Sequence, residues 1–366
     1  MKSYTRQELS LIWLDSFSGL EYKHKQMLLS LAGEQFDASL IVQKGKEYLI
    51  NNLNVNIYST LKNALTKEYM QFVLDGLKSK GIRVVTIKSQ GYPQSLLQTS
   101  HPPLVLYTKG DISLLNADRL FAVVGSRKTP NTALAVTENY VKALIDNGFT
   151  LVTGIADGVD KKVLLTALSN NAKVISVVTG GVDNVYPKAN QSLADKVAES
   201  GLVISENPPQ TVTLPYMFPI RNRIFAGLSQ GVLITSAAKK SGTLWTASCA
   251  VEYGKDVFAI PYSVGVSHGE GCNSLIKQGA MLTDTPEDIL NHYGIKVNEN
   301  QKPQLTDEEK QIVNILKQGE LHVEKISAGL NKRAFEIMPL LSVLEIKGIV
   351  AKNGNLYQLT GNFAEE

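Results

Sequence analysis

Cysteine is nearly absent. The 366-residue chain has two, Cys249 and Cys272, neither in a Cys-x-x-Cys pair nor near a histidine cluster. That argues against a disulfide scaffold and a metal site, and makes a reducing cytoplasm the expected location. Long apolar runs are missing too: Met1-Lys-Ser-Tyr-Thr-Arg6 leads into a mixed segment, and no stretch approaches membrane-spanning length, so neither signal peptide nor membrane anchor is expected. Excess charge is small. Lys and Arg number 37 against 34 Asp and Glu, a net +3, so any basic patch must be local. No Gly-x-Gly-x-x-Gly follows a strand, and no acidic residue stands where a ribose needs one, which excludes a dinucleotide oxidoreductase. Of five histidines only His268 lies near the central glycine turns, and no Gly-x-Ser-x-Gly elbow accompanies it. No cofactor, metal or catalytic set is expected.

What remains is an ordinary globular composition, 43% apolar and 19% charged, long enough for two or three domains. Residues 1–78 read as a small helical module, with helical apolar spacing in Leu9–Leu14, Met27–Leu31 and Tyr69–Leu77. Short strands at Ile82–Ile87 and Leu104–Tyr107 sit among turn-forming Gly91-Tyr-Pro93 and His101-Pro-Pro103. Strands then alternate with helices. The strands are Phe121–Val124, Phe149–Thr153, Val174–Val178, Leu202–Ser205, Val232–Thr235, Val257–Ile260 and Ala280–Thr283; the helices are Ala133–Ile145, Lys162–Leu168, Leu193–Ala198 and Leu244–Tyr253. Continuous Val/Ile-rich strands alternating with helices predict an α/β, doubly wound, mostly parallel Rossmann-like sheet over 81–290, with ligands at the carboxyl ends of its strands. Gly125, Gly154, Gly180-Gly181, Glu206 and Ser236 fall there. Residues 291–304 read as a polar linker. Beyond them, a capping box at Thr306 and Glu309, three helices and a hairpin about Asn353-Gly354 predict a winged-helix-like module over 305–366.

The strand, glycine turn and helix around Gly125-Ser126-Arg127 suit an anion, because backbone N–H groups and a helix N-terminus meet a guanidinium. The competing reading is a βα turn with a solvated arginine. In Thr179–Asn190 two glycines let the backbone approach a ligand and Lys188 can reach an anion; alternatively, Asp183 and Asn190 simply hold the loop. In Phe218-Pro-Ile-Arg-Asn-Arg-Ile224, read as an extended entry to a helix, Arg221 and Arg223 face opposite ways. One would meet a ligand and the other brace the sheet or tie down an acid such as Glu206. An aromatic beside arginines suits a nucleic-acid strand. Ser241 and Thr243 are more simply helix caps than phosphate donors, and Glu206 and Glu252 more simply salt-bridge anchors than an acid–base pair.

In order along the chain, the motifs of 80–290 resemble the DNA-processing protein A (DprA, or Smf) family of bacteria. They are Tyr92-Pro93 with Pro102-Pro103, Leu106-Tyr107 and Lys109-Gly110; Val124-Gly-Ser-Arg127; Thr153-Gly-Ile-Ala-Asp-Gly-Val-Asp160; and Tyr186-Pro-Lys-Ala-Asn190 with Asp183. Then follow Ser205-Glu206 with Pro208, Phe218–Ile224 with Ala226–Ser229, Ser241-Gly-Thr-Leu244 with Thr246-Ala247, Val257–Pro261, and Gly271–Ile276 with Gly279-Ala280.

The resemblance implies a non-enzymatic recombination mediator that binds and protects single-stranded DNA and helps load the RecA recombinase, notably in natural transformation. It also implies a homodimer through the Rossmann-like domain. It maps the positive pocket to Arg127 and Lys188 and the base-stacking ring to Phe218. Gly125, Ser126 and Gly154 would contribute backbone N–H groups, with Asn190, Arg221 and Arg223 as further contributors, Arg223 the more structural. Three positions depart from the family pattern: Asp157 replaces a basic residue, Leu164 a histidine, and Tyr262 a glycine. Two other functions fit parts of the sequence. A lysine-decarboxylase-like phosphoribohydrolase, cleaving nucleoside monophosphates, would use Lys240-Ser-Gly-Thr243 and Glu252, only half of that group's loop. A winged-helix regulator would read duplex DNA through Lys332 and Arg333, with Glu336 close behind.

Overall fold

Thr5 accepts the Glu8 amide and Glu8 accepts the Thr5 amide (3.2 and 2.7 Å), a reciprocal cap that starts α1 (Arg6–Asp15). The computed structural model describes residues 4–17, 20–33, 37–295, 305–346 and 349–360, with Ile346 by its backbone alone. After α1 come α2 (Tyr22–Ala32), α3 (Ala38–Asn52), α4 (Val55–Asn63) and α5 (Lys67–Ser79). Helices α3 and α4 were not anticipated, although their caps were visible in the sequence: Asp37 accepts from the Leu40 amide and Asn54 from that of Ile57, both at 2.9 Å. Trp13 is buried among these helices and satisfies its indole N–H on the Ala64 carbonyl (3.0 Å).

The helical module rests on the edge of the main sheet, in one compact unit, Met1–Tyr293. Tyr107 donates its hydroxyl to buried Asp15 (2.9 Å), and Ser89 donates to Glu8 (2.5 Å). The sheet begins with β1 (Arg83–Thr86), α6 (Gln94–Leu97) and β2 (Val105–Gly110). It continues through β3 (Leu120–Gly125), α7 (Asn131–Asp146), β4 (Thr150–Thr153), α8 (Val159–Ser169), β5 (Val174–Val177), α9 (Gln191–Ser200) and β6 (Leu202–Ser205). It closes with α10 (Met217–Leu228), β7 (Gly231–Ser236), α11 (Thr243–Glu252), β8 (Asp256–Ala259), α12 (Glu270–Lys277), β9 (Met281–Leu282) and α13 (Pro286–His292). Strand order is β1-β2-β6-β5-β4-β3-β7-β8-β9, parallel from β6 to β9 and antiparallel at β1–β2 and β2–β6.

The doubly wound α/β fold is therefore as expected, and the order reverses between β3 and β7, the switch point where such sheets open a crevice. Ala122, Val152, Ile175, Ile204, Val232 and Ile234 are buried in it, as strands covered on both faces require. Asn291 and His292 of the expected linker end α13 instead, and 296–304 lie outside the described residues.

The second compact unit is Gly294–Glu366. Thr306 and Glu309 form the expected capping box (3.3 and 2.7 Å) and open α14 (Asp307–Leu316). Then follow β10 (Leu321–His322), α15 (Val323–Leu330), α16 (Ala334–Ile346), β11 (Val350–Asn353) and β12 (Leu356–Leu359), with antiparallel order β10-β12-β11. Ile312, Leu316, Ile326, Ile337, Leu341 and Tyr357 fill its core. Strand β10 has two residues, too few to show an alternating pattern. Among the described residues of the chain, no helix is long and apolar enough to cross a membrane.

Candidate functional site

Strand β3 ends at Gly125, and the turn that follows is stitched down on two sides. Ser126 donates its N–H to the Ser236 carbonyl at the end of β7 (2.8 Å), and its own carbonyl accepts from the Val159 amide that opens α8 (3.3 Å). This corrects the expected anion cradle at one point: the Ser126 amide is already paired, and the Ser126 carbonyl in turn occupies the first amide of α8. Gly125 is explained by packing: a Cβ there would overlap the Val159 side chain. The bond to Ser236 joins the two strands that flank the switch point, so the turn forms one wall of the crevice.

Arg127 is exposed in this turn, as is Lys128 beside it. Its guanidinium carbon lies 4.3 Å from the centroid of the Phe218 ring, within cation–π range. Phe218 is half-buried in the first turn of α10. Its ring meets that of Tyr186 edge to face, with centroids 6.1 Å apart and planes at 66°. Tyr186 and Lys188 are both exposed on the loop between β5 and α9, Lys188 beginning the short 3₁₀ turn Lys188–Asn190. Arg127, Phe218, Tyr186 and Lys188 thus share the carboxyl-end rim of β3 and β5. A positive group for phosphate and a ring for a base lie side by side there.

Beneath this rim the remaining candidates have partners inside the protein. Asn190 is buried, and its Nδ2 donates to the Ile155 carbonyl (2.8 Å), fastening the Lys188 loop to the loop after β4. Asp157 on that loop is exposed and pairs with Lys161 (3.5 Å). Its charge near the rim is thereby partly offset. Gly154 is wedged between the Asp160 carboxylate and the Arg221 guanidinium, and a Cβ would overlap both.

The segment Phe218–Ile224, expected to be extended, is helical, because it forms the first half of α10. Arg221 and Arg223 still diverge, being 200° apart on a helix, but both turn inward. Arg221 is only 6% exposed and donates to the Val177 carbonyl at the end of β5. It lies 4.3 Å from the Phe225 ring and 6.0 Å from Phe218, so guanidinium and ring alternate through Arg127, Phe218, Arg221 and Phe225. Burial lowers its pKa to about 10, opposed by Asp160 and aided by the like charge of Arg127; it stays protonated at neutral pH. Burial pushes the Asp160 carboxyl up, and Arg221 pulls it back. Arg223 forms an ion pair with Glu206 at the end of β6, both largely shielded from solvent. Burial raises the Glu206 carboxyl against the pull of Arg223. The expectation that one of these arginines faces a ligand is corrected: both guanidiniums are committed within the fold, since a buried charge needs a buried partner.

The other candidates resolve locally. Ser241 accepts from the Thr243 amide (3.2 Å) and donates to the Thr243 hydroxyl (3.0 Å), but the capping position of α11 is Gly242, so neither residue is the expected side-chain cap. Glu252 lies nine residues further along, about 13 Å of helix rise away, and accepts from Ser100 (2.7 Å). Leu164 is fully buried under the sheet, and the Tyr262 hydroxyl donates to the Thr235 carbonyl (2.5 Å) while its ring covers Gly269. In the second unit, Lys332 pairs with Glu308, and Arg333 pairs with Glu336 (3.4 Å) and stacks on Phe335 (4.6 Å).

Residues 83–294 match the family model described as DNA recombination-mediator protein A. The chain belongs to this family. Relatives of this DNA recombination-mediator family include DNA processing protein DprA of Bacillus subtilis, 36% identical over 234 residues that cover 63% of this chain and 79% of that one. DNA processing protein DprA of Streptococcus pneumoniae is 39% identical over 202 residues, 55% and 71% of the two chains. The X-ray structure of the Streptococcus pneumoniae protein superposes with a TM-score of 0.57 at 31% identity, covering 77% of this chain and all of that one. A structure of DNA processing protein A from Helicobacter pylori, described for its single-stranded DNA binding mode, gives 0.53 at 28% identity, covering 58% and 95%.

Two residues at this rim and beneath it are not singled out by the sequence. Tyr186 was noted only as part of its motif, although an aromatic before proline in a strand-end loop was a visible signal. Asp160 stands in the sequence only as the end of its Thr153–Asp160 motif; its place opposite Arg221 across Gly154 has no local signal, because it brings separate βα units together.

Proposed function

We propose that this protein binds single-stranded DNA at the Arg127–Phe218–Lys188 rim and acts there as a recombination mediator, without a catalytic step. Phosphates pair with Arg127 and Lys188, and a base stacks at Phe218. The observation that carries this reading is the exposed Arg127 guanidinium set 4.3 Å from the Phe218 ring at the strand ends. Arg221 is not a contact in this reading; its buried charge adds positive potential below the ring. Gly125, Ser126, Gly154, Asn190 and Arg223 support the rim without touching DNA. Contacts of this kind ignore sequence and weaken steeply with salt. Family membership supports the mediator role, which extends to shielding the strand and loading the RecA recombinase, with a homodimer through the sheet-bearing unit as the working form.

The test is equilibrium binding of a labelled oligothymidylate to wild type, Arg127→Ala and Lys188→Ala across a salt series. Each substitution is expected to weaken binding and flatten the salt slope by about one counterion. Wild-type affinity with an unchanged slope in both variants rejects the site. For the mediator step, RecA assembly on strand coated with single-strand-binding protein should speed up with wild type and not with Arg127→Ala.

A further inference from the structure

We infer that Tyr186 is a second base-stacking residue, so that the site takes bases in an aromatic corner rather than on one platform. The inference rests on the single-strand reading above and deepens it. Tyr186 is 54% exposed although it is a large aromatic, and its ring stands at 66° to that of Phe218 with centroids 6.1 Å apart. Two rings in that relation form the walls of an open corner: a base lying flat on one ring presents its edge to the other, a favourable aromatic geometry. Arg127 occupies a face of Phe218 in this structure, which leaves the exposed Tyr186 ring as the stacking surface that no cation covers among the described residues. Lys188 follows two residues later on the same loop and is also exposed, so a phosphate and its base can be met by neighbouring residues of one segment.

The competing explanation is that Tyr186 only braces the loop that carries Lys188. The two differ in what the ring touches, and a strand without bases separates them. Binding of an oligothymidylate and of an abasic strand of equal length is measured for wild type, Tyr186→Leu and Tyr186→Phe, with folding checked by circular dichroism. Stacking predicts that Tyr186→Leu binds the base-bearing strand about tenfold more weakly and the abasic strand as wild type does, with Tyr186→Phe close to wild type on both. Equal loss on both strands, or no loss on either, overturns the inference. Should Tyr186→Leu misfold, Tyr186→Trp decides: its indole emission is quenched by the base-bearing strand and not by the abasic one if bases stack there, and responds alike to both if they do not. Failure of the underlying reading is recognisable separately, since wild type would then bind neither strand.

Discussion

Arg127 and Phe218, 91 residues apart in sequence, lie in cation–π contact at 4.3 Å. One comes from the turn after β3 and the other from the first turn of α10, so the pair depends on both elements being seated on the sheet. Because they touch, their contributions to binding are not independent. The loss in the double variant Arg127→Ala/Phe218→Leu is expected to differ from the sum of the single losses by about 0.5 kcal/mol or more. A double-mutant cycle on oligothymidylate affinity measures it; strict additivity would show that the contact does not persist in solution.

Phe218→Leu keeps an apolar side chain but removes the ring. Base stacking on aromatics is worth about 1–3 kcal/mol, so affinity should drop about tenfold or more while the salt slope stays the same. A change in slope would mean that the substitution displaced the charges.

Arg223 is expected to affect stability rather than affinity. Its partner Glu206 is shielded from solvent, and breaking a buried pair costs about 3–5 kcal/mol because it leaves a buried charge alone. Urea unfolding of Arg223→Ala should show that loss, with single-strand affinity per folded molecule and its salt slope unchanged. A flatter slope at intact stability would place Arg223 on the strand instead.

Gly154→Ala introduces a Cβ into the space between the Asp160 carboxylate and the Arg221 guanidinium, overlapping both. Overpacking at such a site costs about 1–3 kcal/mol, read as a lower midpoint in denaturant. An unchanged midpoint would show that the two charged groups can separate freely.

Asp183 supplies a pH dependence. It is bonded by Lys80 (2.5 Å) and the Gln210 amide (2.7 Å), tying the end of α5 to the Lys188 loop. Burial works against its ionisation, but those bonds prevail and hold the carboxyl below its usual range. A depressed folded pKa stabilises above the unfolded value of about 3.9, and the gain is lost as pH falls through the folded one. Asp183→Asn should therefore cost about 1 kcal/mol at pH 7 and progressively less below pH 4. A penalty that does not change with pH would rule out the charge as its source.

Local pattern determined much of this molecule. The strands β3 to β8, the cap at Thr306, and the β11–β12 hairpin are written in neighbouring residues, because apolar period, turn chemistry and capping act within a few positions. Arg127 and Lys188 were legible as candidates for the same reason, since glycine turns and strand ends mark where side chains emerge, and Phe218 as an aromatic beside arginines. Which arginine remains free was not legible. Arg221 and Arg223 are alike in the sequence, and only the packing of α10 sends one to the Val177 carbonyl and the other to Glu206. Tertiary structure likewise decided that the Ser126 amide serves Ser236 and that Tyr186 meets Phe218. Each of these contacts joins segments between 17 and 110 residues apart, and desolvation, which demands a partner for every buried charge and amide, acts only once the chain has brought them together.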